Sequence, residues 1–304
     1  MEPVIRSIFE PITGTWQHII TDLSTKASAI VDPVLDYDPV KNEISTTTAD
    51  HLLETIRNDN LTVEWILETH AHADHLTAAA YLQDHLLVDQ GTNVPICIGC
   101  GISAVQQRWA ERYSIPSYEV EAAFEHTFAD GEMFNIGNVK VEVMHLPGHT
   151  PDHVGYMVGS NVLTGDSIFN PDVGSARTDF PGGSASQLWE SMTRLLNLPD
   201  DFRLYTGHDY PPSERVAEDD GPRERPYSTV KEQKAANKHV KSGTKEEDFV
   251  SWRQERDASL AQPRLMHQAL QWNIRAGRPP WPSSNGERLL HIPLRFAPSF
   301  GLST

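Results

Sequence analysis

No stretch constrains this chain more than Thr69-His70-Ala71-His72-Ala73-Asp74-His75. It directly follows the apolar run Val63-Glu64-Trp65-Ile66-Leu67, which reads as a buried strand, so three histidines and a carboxylate lie on the loop that leaves the strand end. Side chains alternate along an extended chain, which turns His70 and His72 to one side. Asp74 and His75 are expected to open the next element and to face a neighbouring position. One short loop thereby offers ligands to two adjacent metal ions. A polar loop that merely happens to be rich in histidine is the competing reading, and four ligand-type residues at this spacing make it a poor one.

The rest of the chain repeats the device of strand, turn and ligand. His149 stands in Leu146-Pro147-Gly148-His149-Thr150, Asp166 in Leu163-Thr164-Gly165-Asp166, and His208 in Tyr205-Thr206-Gly207-His208-Asp209-Tyr210. In each case a turn residue presents one side chain at the end of an apolar run. Together these supply one site of His70, His72, His149 and Asp166, and a second of Asp74, His75, His208 and the shared Asp166. Asp166 is the expected bridge, since a carboxylate reaches two cations through its two oxygens whereas a neutral imidazole ligates one.

Around these loops the pattern alternates as in a layered α/β protein. Strands are expected over 4–9, 15–21 and 26–31, then a helix capped by Thr47 or Thr48 and running to Asn58 with Leu52, Leu53 and Ile56 buried. After the histidine loop, Asp74 is expected to open a helix to about Leu87, followed by a strand at 94–98 and a helix over 102–113. Period-two apolar residues return over 139–145, 154–158 and 161–164. Beyond Pro211 the chain changes character. Residues 214–225 read as a charged, solvated connection, followed by a helix over 229–239. Thr244 with Glu247 forms a capping-box pattern before a helix carrying Phe249 and Trp252, and a last helix over 265–276 stops at Gly277 and Pro279-Pro280. These aromatics are expected on the core, with Trp281 and 288–296 the candidates for covering an interface or a substrate mouth.

With 304 residues the chain is long enough for one main domain with an appendage. Its formal net charge of −17 argues against a nucleic-acid partner, which requires a basic face. No apolar run approaches the length of a bilayer span and the first residues carry no leader pattern, so a soluble cytoplasmic protein without a membrane partner is expected. Cys97 and Cys100, spaced C-x-x-C, lack the second pair that a zinc site needs and read as small buried residues at a strand end.

The series His-x-His-x-Asp-His, Gly-His, Gly-Asp and Gly-His resembles the metallo-β-lactamase fold superfamily over about residues 1–212. Within it, Ala176-Arg177-Thr178-Asp179-Phe180 and His208-Asp209-Tyr210 resemble the persulfide dioxygenase branch and related bacterial β-lactamase-like hydrolases. Glyoxalase II enzymes, also related, typically carry Glu where Asp209 stands. Asn273-Ile274-Arg275-Ala276-Gly277, Asn285-Gly286 and Ile292-Pro293-Leu294 extend the likeness to the bacterial proteins towards residue 294.

The resemblance implies an α/β fold, a four-layer αββα sandwich over 1–212, with a helical C-terminal extension over 213–304 packed on it. It also implies one Fe(II) on His70, His149 and Asp166, with open positions for O₂ and a sulfur substrate. His72, Asp74, His75 and His208 would then surround the iron ligands. The reaction implied is oxidation of a glutathione persulfide-like small molecule to sulfite. The alternative keeps all seven residues as ligands of one or two Zn(II) ions that hydrolyse a lactam, lactone or thioester, with Asp74 as proton acceptor. Arg177 is the second catalytic candidate, paired with Asp179 to orient its loop or to meet an anionic substrate. A homodimer is left open as the assembly.

Overall fold

The computed structural model describes residues 2–216, 222–294 and 296. Apolar strands separated by tight turns form an opening antiparallel meander of β1 (Val4–Glu10), β2 (Thr15–Thr21) and β3 (Ala27–Val31). Then come β4 (Val34–Asp38), β5 (Glu43–Ser45), α1 (Thr47–Asn58), β6 (Thr62–Leu67) and the short β7 (Leu76–Thr77), which pairs with β4. Next are α2 (Ala79–Gln90), β8 (Ile96–Gly99), α3 (Ile102–Tyr113) and β9 (His126–Phe128). The first large sheet runs β1-β2-β3-β6-β8-β9, with β6 and β8 parallel to β3.

The second sheet is built from β10 (Met133–Ile136), β11 (Val139–His145), β12 (Val154–Val158), β13 (Asn161–Gly165), β14 (Arg203–Thr206) and β15 (Tyr227–Thr229), side by side in chain order. Helix α4 (Ala185–Leu196) makes the crossover between parallel β13 and β14. The chain continues through α5 (Val230–Ala236), α6 (Glu246–Ala258) and α7 (Met266–Asn273).

The sheets pack face to face through Val31, Leu67 and Cys97 on one side and Val141, Tyr156 and Leu163 on the other. Leu53, Leu82 and Trp272 lay α1, α2 and α7 on the outside of the first sheet, where Trp109 of α3 also packs against Leu270. Leu188, Val230 and Phe249 lay α4, α5 and α6 on the outside of the second. Each such side chain adds about 1.5–3 kcal/mol by leaving water. The result is the expected αββα sandwich, with helices of the C-terminal region on both outer faces. Among the described residues no helix is long and apolar enough to cross a membrane.

Four local expectations are corrected. Asp74 does not open a helix: the chain forms β7 first and α2 begins at Ala79, whose N–H is met by the Thr77 hydroxyl at 3.0 Å. Asp74 is drawn inward to His208 instead. The Thr244–Glu247 capping box is absent, since α6 starts at Glu246 behind Lys245 with no side-chain cap; a capping box forms at Thr229 and Glu232. Cys97 is buried as expected, but Cys100, one residue past β8, is exposed. The 214–225 connection is not wholly solvated, because Arg215 is buried in ion pairs with Asp172 and Asp209; residues 217–221 lie outside the described residues. Trp281 is exposed and packs edge-on to Tyr118, while Arg288, Leu289 and Ile292 line a cavity with Tyr37 and Trp272 rather than the metal-donor loops.

Candidate metal centre

The ligand-type side chains ride on loops that follow β6, β11, β13 and β14. The two sheets face each other, so these loops meet at one edge of the sandwich. Glycine makes the approach close enough: a Cβ on Gly207 would meet Asp166 Oδ1 at 2.7 Å, and one on Gly165, at φ +47°, would meet the Thr69 hydroxyl at 2.6 Å. The Gly207 carbonyl also accepts from Trp16 N at 2.8 Å, which ties the His208 loop to the start of β2.

Five histidines converge; four have one ring nitrogen hydrogen-bonded, and the fifth, His72, faces two carboxylates at ion-pair distance. His70 Nδ1 lies 3.0 Å from the Thr69 hydroxyl, which itself donates to Asp32 Oδ2 at 2.8 Å. His149 Nδ1 donates to the Arg177 carbonyl at 2.7 Å, His75 Nδ1 to that of Leu76 at 3.2 Å, and His208 Nδ1 to that of Gly14 at 3.3 Å. His72 is held by the opposite nitrogen, with Nε2 3.1 Å from Asp32 Oδ1. In a neutral imidazole a tethered N–H leaves the other nitrogen with its lone pair, the form that binds metal, whereas at His72 burial is overcome by Asp32 and Glu68, which raise it well above the usual imidazole range. His70 Nε2, His72 Nδ1, His75 Nε2 and His208 Nε2 are buried without a hydrogen-bond partner, as are Asp74 Oδ2 and Asp166 Oδ1. Six orphaned buried donors would each cost free energy in a protein without a cation, and they fit a metal centre.

Their grouping differs from expectation in two members: His72 changes group, and Asp166 falls in the first group alone. His70, His149 and Asp166 offer donor atoms within 4.8 Å of one another; His72 joins Asp74, His75 and His208 in a second group rather than the first. The reason is its ring orientation. With Nε2 drawn to Asp32 and Glu68, Nδ1 is the nitrogen left to the site. Asp166 also reaches towards the second group, Oδ2 3.6 Å from His149 Nε2 and Oδ1 3.6 Å from His208 Nε2. His208 Nε2 also lies 3.1 Å from Asp74 Oδ2.

Electrostatics follow from burial and crowding. Burial, then the neighbouring His72, pushes His70 well below the usual imidazole range and His75 down to about 3, so both are neutral ligands. Burial works against ionisation of Asp74, but His208 and His75 overcome it and keep the carboxyl below its ordinary range. Burial raises Glu68 to about 7 beside His72.

Arg177 and Asp179 form the expected pair, with Nε–Oδ1 at 2.6 Å and Nη2–Oδ2 at 2.5 Å. The Arg177 guanidinium is therefore neutralised within its own loop. Its carbonyl, which orients His149, is its link to the metal centre.

Several supporting residues were not foreseen. His153 is fully buried, stacks on His70 at 4.7 Å, and accepts the Asp166 backbone N–H at 2.9 Å. Its signal was the second histidine of His149-Thr150-Pro151-Asp152-His153. Asp152 accepts from Ala71 N at 2.7 Å. Asn273 of α7 donates to the His72 and His75 carbonyls, both at 2.8 Å, and accepts from Thr77 N at 2.8 Å. Nothing local in the sequence marks Asp32, whose partners Thr69 and His72 lie about forty residues on, and the Asn273 motif gave no hint of its contacts with the His72 and His75 carbonyls.

A family model described as the metallo-beta-lactamase superfamily matches residues 18–208. The "Beta-lactamase hydrolase-like protein" of Xylella fastidiosa (strain Temecula1) is 46% identical over 293 residues, 96% of this chain; the chain spans 65% of that relative's length. "Glyoxylase B2" of Dictyostelium discoideum is 41% identical, covering 93% of this chain and 94% of that protein. The human "Persulfide dioxygenase ETHE1, mitochondrial" is 28% identical over 68% of each chain. The crystal structure of ETHE1 from Myxococcus xanthus superimposes with a TM-score of 0.70 at 26% identity, over 90% of this chain and 100% of that one. With the family model running from β2 to His208 across every metal-donor loop, the chain belongs to the metallo-beta-lactamase superfamily.

Proposed function

We propose that the protein is a persulfide dioxygenase, with a single Fe(II) held by His70, His149 and Asp166. The observation that carries this reading is the compact group those three residues form, two imidazoles and one carboxylate within 4.8 Å. This is the donor set of non-haem iron oxygenases, which leaves coordination positions for substrates. The Arg-Thr-Asp-Phe loop and the likeness to the ETHE1 proteins support it. Bound there, iron would supply the electron chemistry that lets O₂ react with a sulfur nucleophile.

The reaction balances as persulfide, O₂ and water giving thiol, sulfite and protons. The S–S bond breaks, the outer sulfur leaves with both oxygens of O₂ and one from water, and O₂ accepts the electrons that sulfur loses. The chain's part is orientation and dryness. The Arg177 carbonyl holds the His149 ring, and Ala73, Phe180 and Met266 wall the adjoining cavity with apolar atoms. Asp74, with its side chain 31% exposed, is the carboxylate placed to pass a released proton to water.

A second reading has its own observation. The donors of His72, Asp74, His75 and His208 also lie within 4.8 Å of one another, which favours a dinuclear zinc hydrolase acting on a lactam, lactone or thioester. Metal analysis of protein from its own host, combined with an oxygen electrode, separates the two. We expect iron at one per chain and O₂ uptake with glutathione persulfide. Zinc at two per chain, no O₂ uptake, and opening of a thioester, lactone or lactam would reverse the order.

A further inference from the structure

The ring of His208 faces two opposed demands. Its Nε2 lies 3.1 Å from Asp74 Oδ2 and 3.6 Å from Asp166 Oδ1, and two carboxylates so placed draw a proton onto Nε2, the nitrogen that a metal ion must find with its lone pair free. We propose that Glu10, acting through Thr13 and Thr15, is the positioning residue that keeps the His208 proton on Nδ1, so that the turn between β1 and β2 prepares the second donor group for its ion. The inference rests on the metal centre and not on the reaction. It concerns the donor group that a single iron on the first group leaves unused.

Glu10 ends β1 and is buried. Three donors meet its carboxylate: the N–H groups of Ile12 and Thr13, each at 2.8 Å, and the Thr13 hydroxyl. A carboxylate accepts, and a hydroxyl has one proton to give, so the sense of every later bond is fixed. Thr13 has given its proton to Glu10, and across the 2.7 Å to Thr15 Oγ1 it therefore accepts. Thr15, fully buried, has then given its own, and its oxygen is left to accept from His208 Nδ1 at 3.3 Å. The Gly14 carbonyl, also 3.3 Å from Nδ1, already accepts the Asp209 N–H at 3.0 Å. Both contacts to Nδ1 lie just past the usual N–H···O range, so the two acceptors hold that proton jointly against Asp74 and Asp166.

The turn is fastened to the His208 loop independently of the ring. Trp16 N–H donates to the Gly207 carbonyl at 2.8 Å, and the Tyr210 hydroxyl donates to the Thr13 carbonyl at 3.3 Å. Gly14, at φ +72°, permits the approach, since a Cβ there would meet the Tyr210 ring at 2.7 Å. The hydroxyl chain thus meets a ring already in place, and what it adds is the choice of nitrogen. Glu10 and Thr13 also line a cavity of about 30 Å³ that His75 borders, so the turn adjoins two of the three histidines in the second group.

The test uses the full chain, zinc as the only metal, and the variants Thr15→Val, Thr15→Ser and Thr13→Val. Thr15→Val keeps the shape and removes the hydroxyl, whereas Thr13→Val cuts the chain at a residue that does not touch His208. In metal-free protein with isotope-labelled histidine, read by nitrogen NMR in buffer alkaline enough that the ring carries one proton, wild-type His208 should hold that proton on Nδ1. Both Val variants should move it towards Nε2. Affinity for the second zinc, measured by chelator competition, should weaken about tenfold in both Val variants while that for the first is unchanged, and Thr15→Ser should restore it. Should Thr15→Val lose both ions, Thr13→Val decides the question. A wild-type proton on Nε2, a second zinc held equally by wild type and both Val variants, or a wild type that takes up no second zinc overturns the proposal. None of these outcomes touches the persulfide reading, which fails instead if iron-loaded protein consumes no O₂ with persulfide.

Discussion

Asp166 directs its two oxygens to two different histidines, which makes it the residue whose loss reaches both donor groups. Replacement by Ala should abolish activity and bound metal together, as read by metal content after gel filtration; full activity would exclude a metalloenzyme. His208→Ala should discriminate the two functional readings, because an enzyme with one iron keeps its metal whereas a dinuclear hydrolase loses one ion of two. The donors were legible in the sequence because each follows an apolar run and a turn. The side on which His72 acts was not, since spacing says nothing about which ring nitrogen a neighbour will claim, and here Asp32, forty residues earlier, claims Nε2. Arg177 illustrates the same limit: its pairing with Asp179 could be read from the motif, but its use of a backbone carbonyl to hold His149 could not.

At the level of elements, the strands and most helices followed from periodicity, with α3 and β11 falling where the pattern placed them. Ends were decided by partners outside the pattern. The helix expected at Asp74 starts later because Asn273 Oδ1 takes the Thr77 N–H and β7 pairs with β4. A sequence window around Asp74 includes neither partner. The two sheets are also stitched at a turn. Asp22, after β2, accepts from Ser24 N at 2.9 Å and from the Thr25 hydroxyl at 2.9 Å, and reaches across to Asn138 N at 2.8 Å in the turn between β10 and β11. The Asn138 N–H, followed by the Ser24 hydroxyl, holds this carboxyl far below its usual range. A depressed folded-state pKa stabilises above the unfolded carboxylate value of about 3.9, and that contribution is lost as pH falls through the acid range. Asp22→Asn should therefore lower Tm at pH 7 and flatten the Tm-versus-pH profile below about pH 4. Profiles of equal slope would show that Asp22 is not coupled to folding.

Across the whole molecule, the C-terminal helices are braces for the metal-donor loops. Asp257 of α6 accepts the Thr178 N–H at 2.8 Å, and His239 accepts the Ser175 N–H at 2.9 Å, so the loop leading from Asp166 to Arg177 rests on residues beyond 212. From the other side, Asn273 closes the His72 and His75 carbonyls. We propose on this basis that residues 1–212 do not form a working unit alone: a chain stopped at 212 should fail to retain metal on gel filtration. Asn273→Asp tests the same brace in the intact chain. The carboxylate still accepts from Thr77 but no longer donates, leaving two carbonyls unpaired at about 1–3 kcal/mol each, and metal affinity should drop; an unchanged affinity would remove the brace. The Asn273 brace also sets an order of events during synthesis. The His72 carbonyl and its partner amide are 201 residues apart, so at 5–20 residues per second about 10–40 s separate translation of the loop from translation of the group that closes it. Until then the His72 and His75 carbonyls of a nascent chain lack the amide that closes them, so the loop gains its final shape only after the last helix has been made.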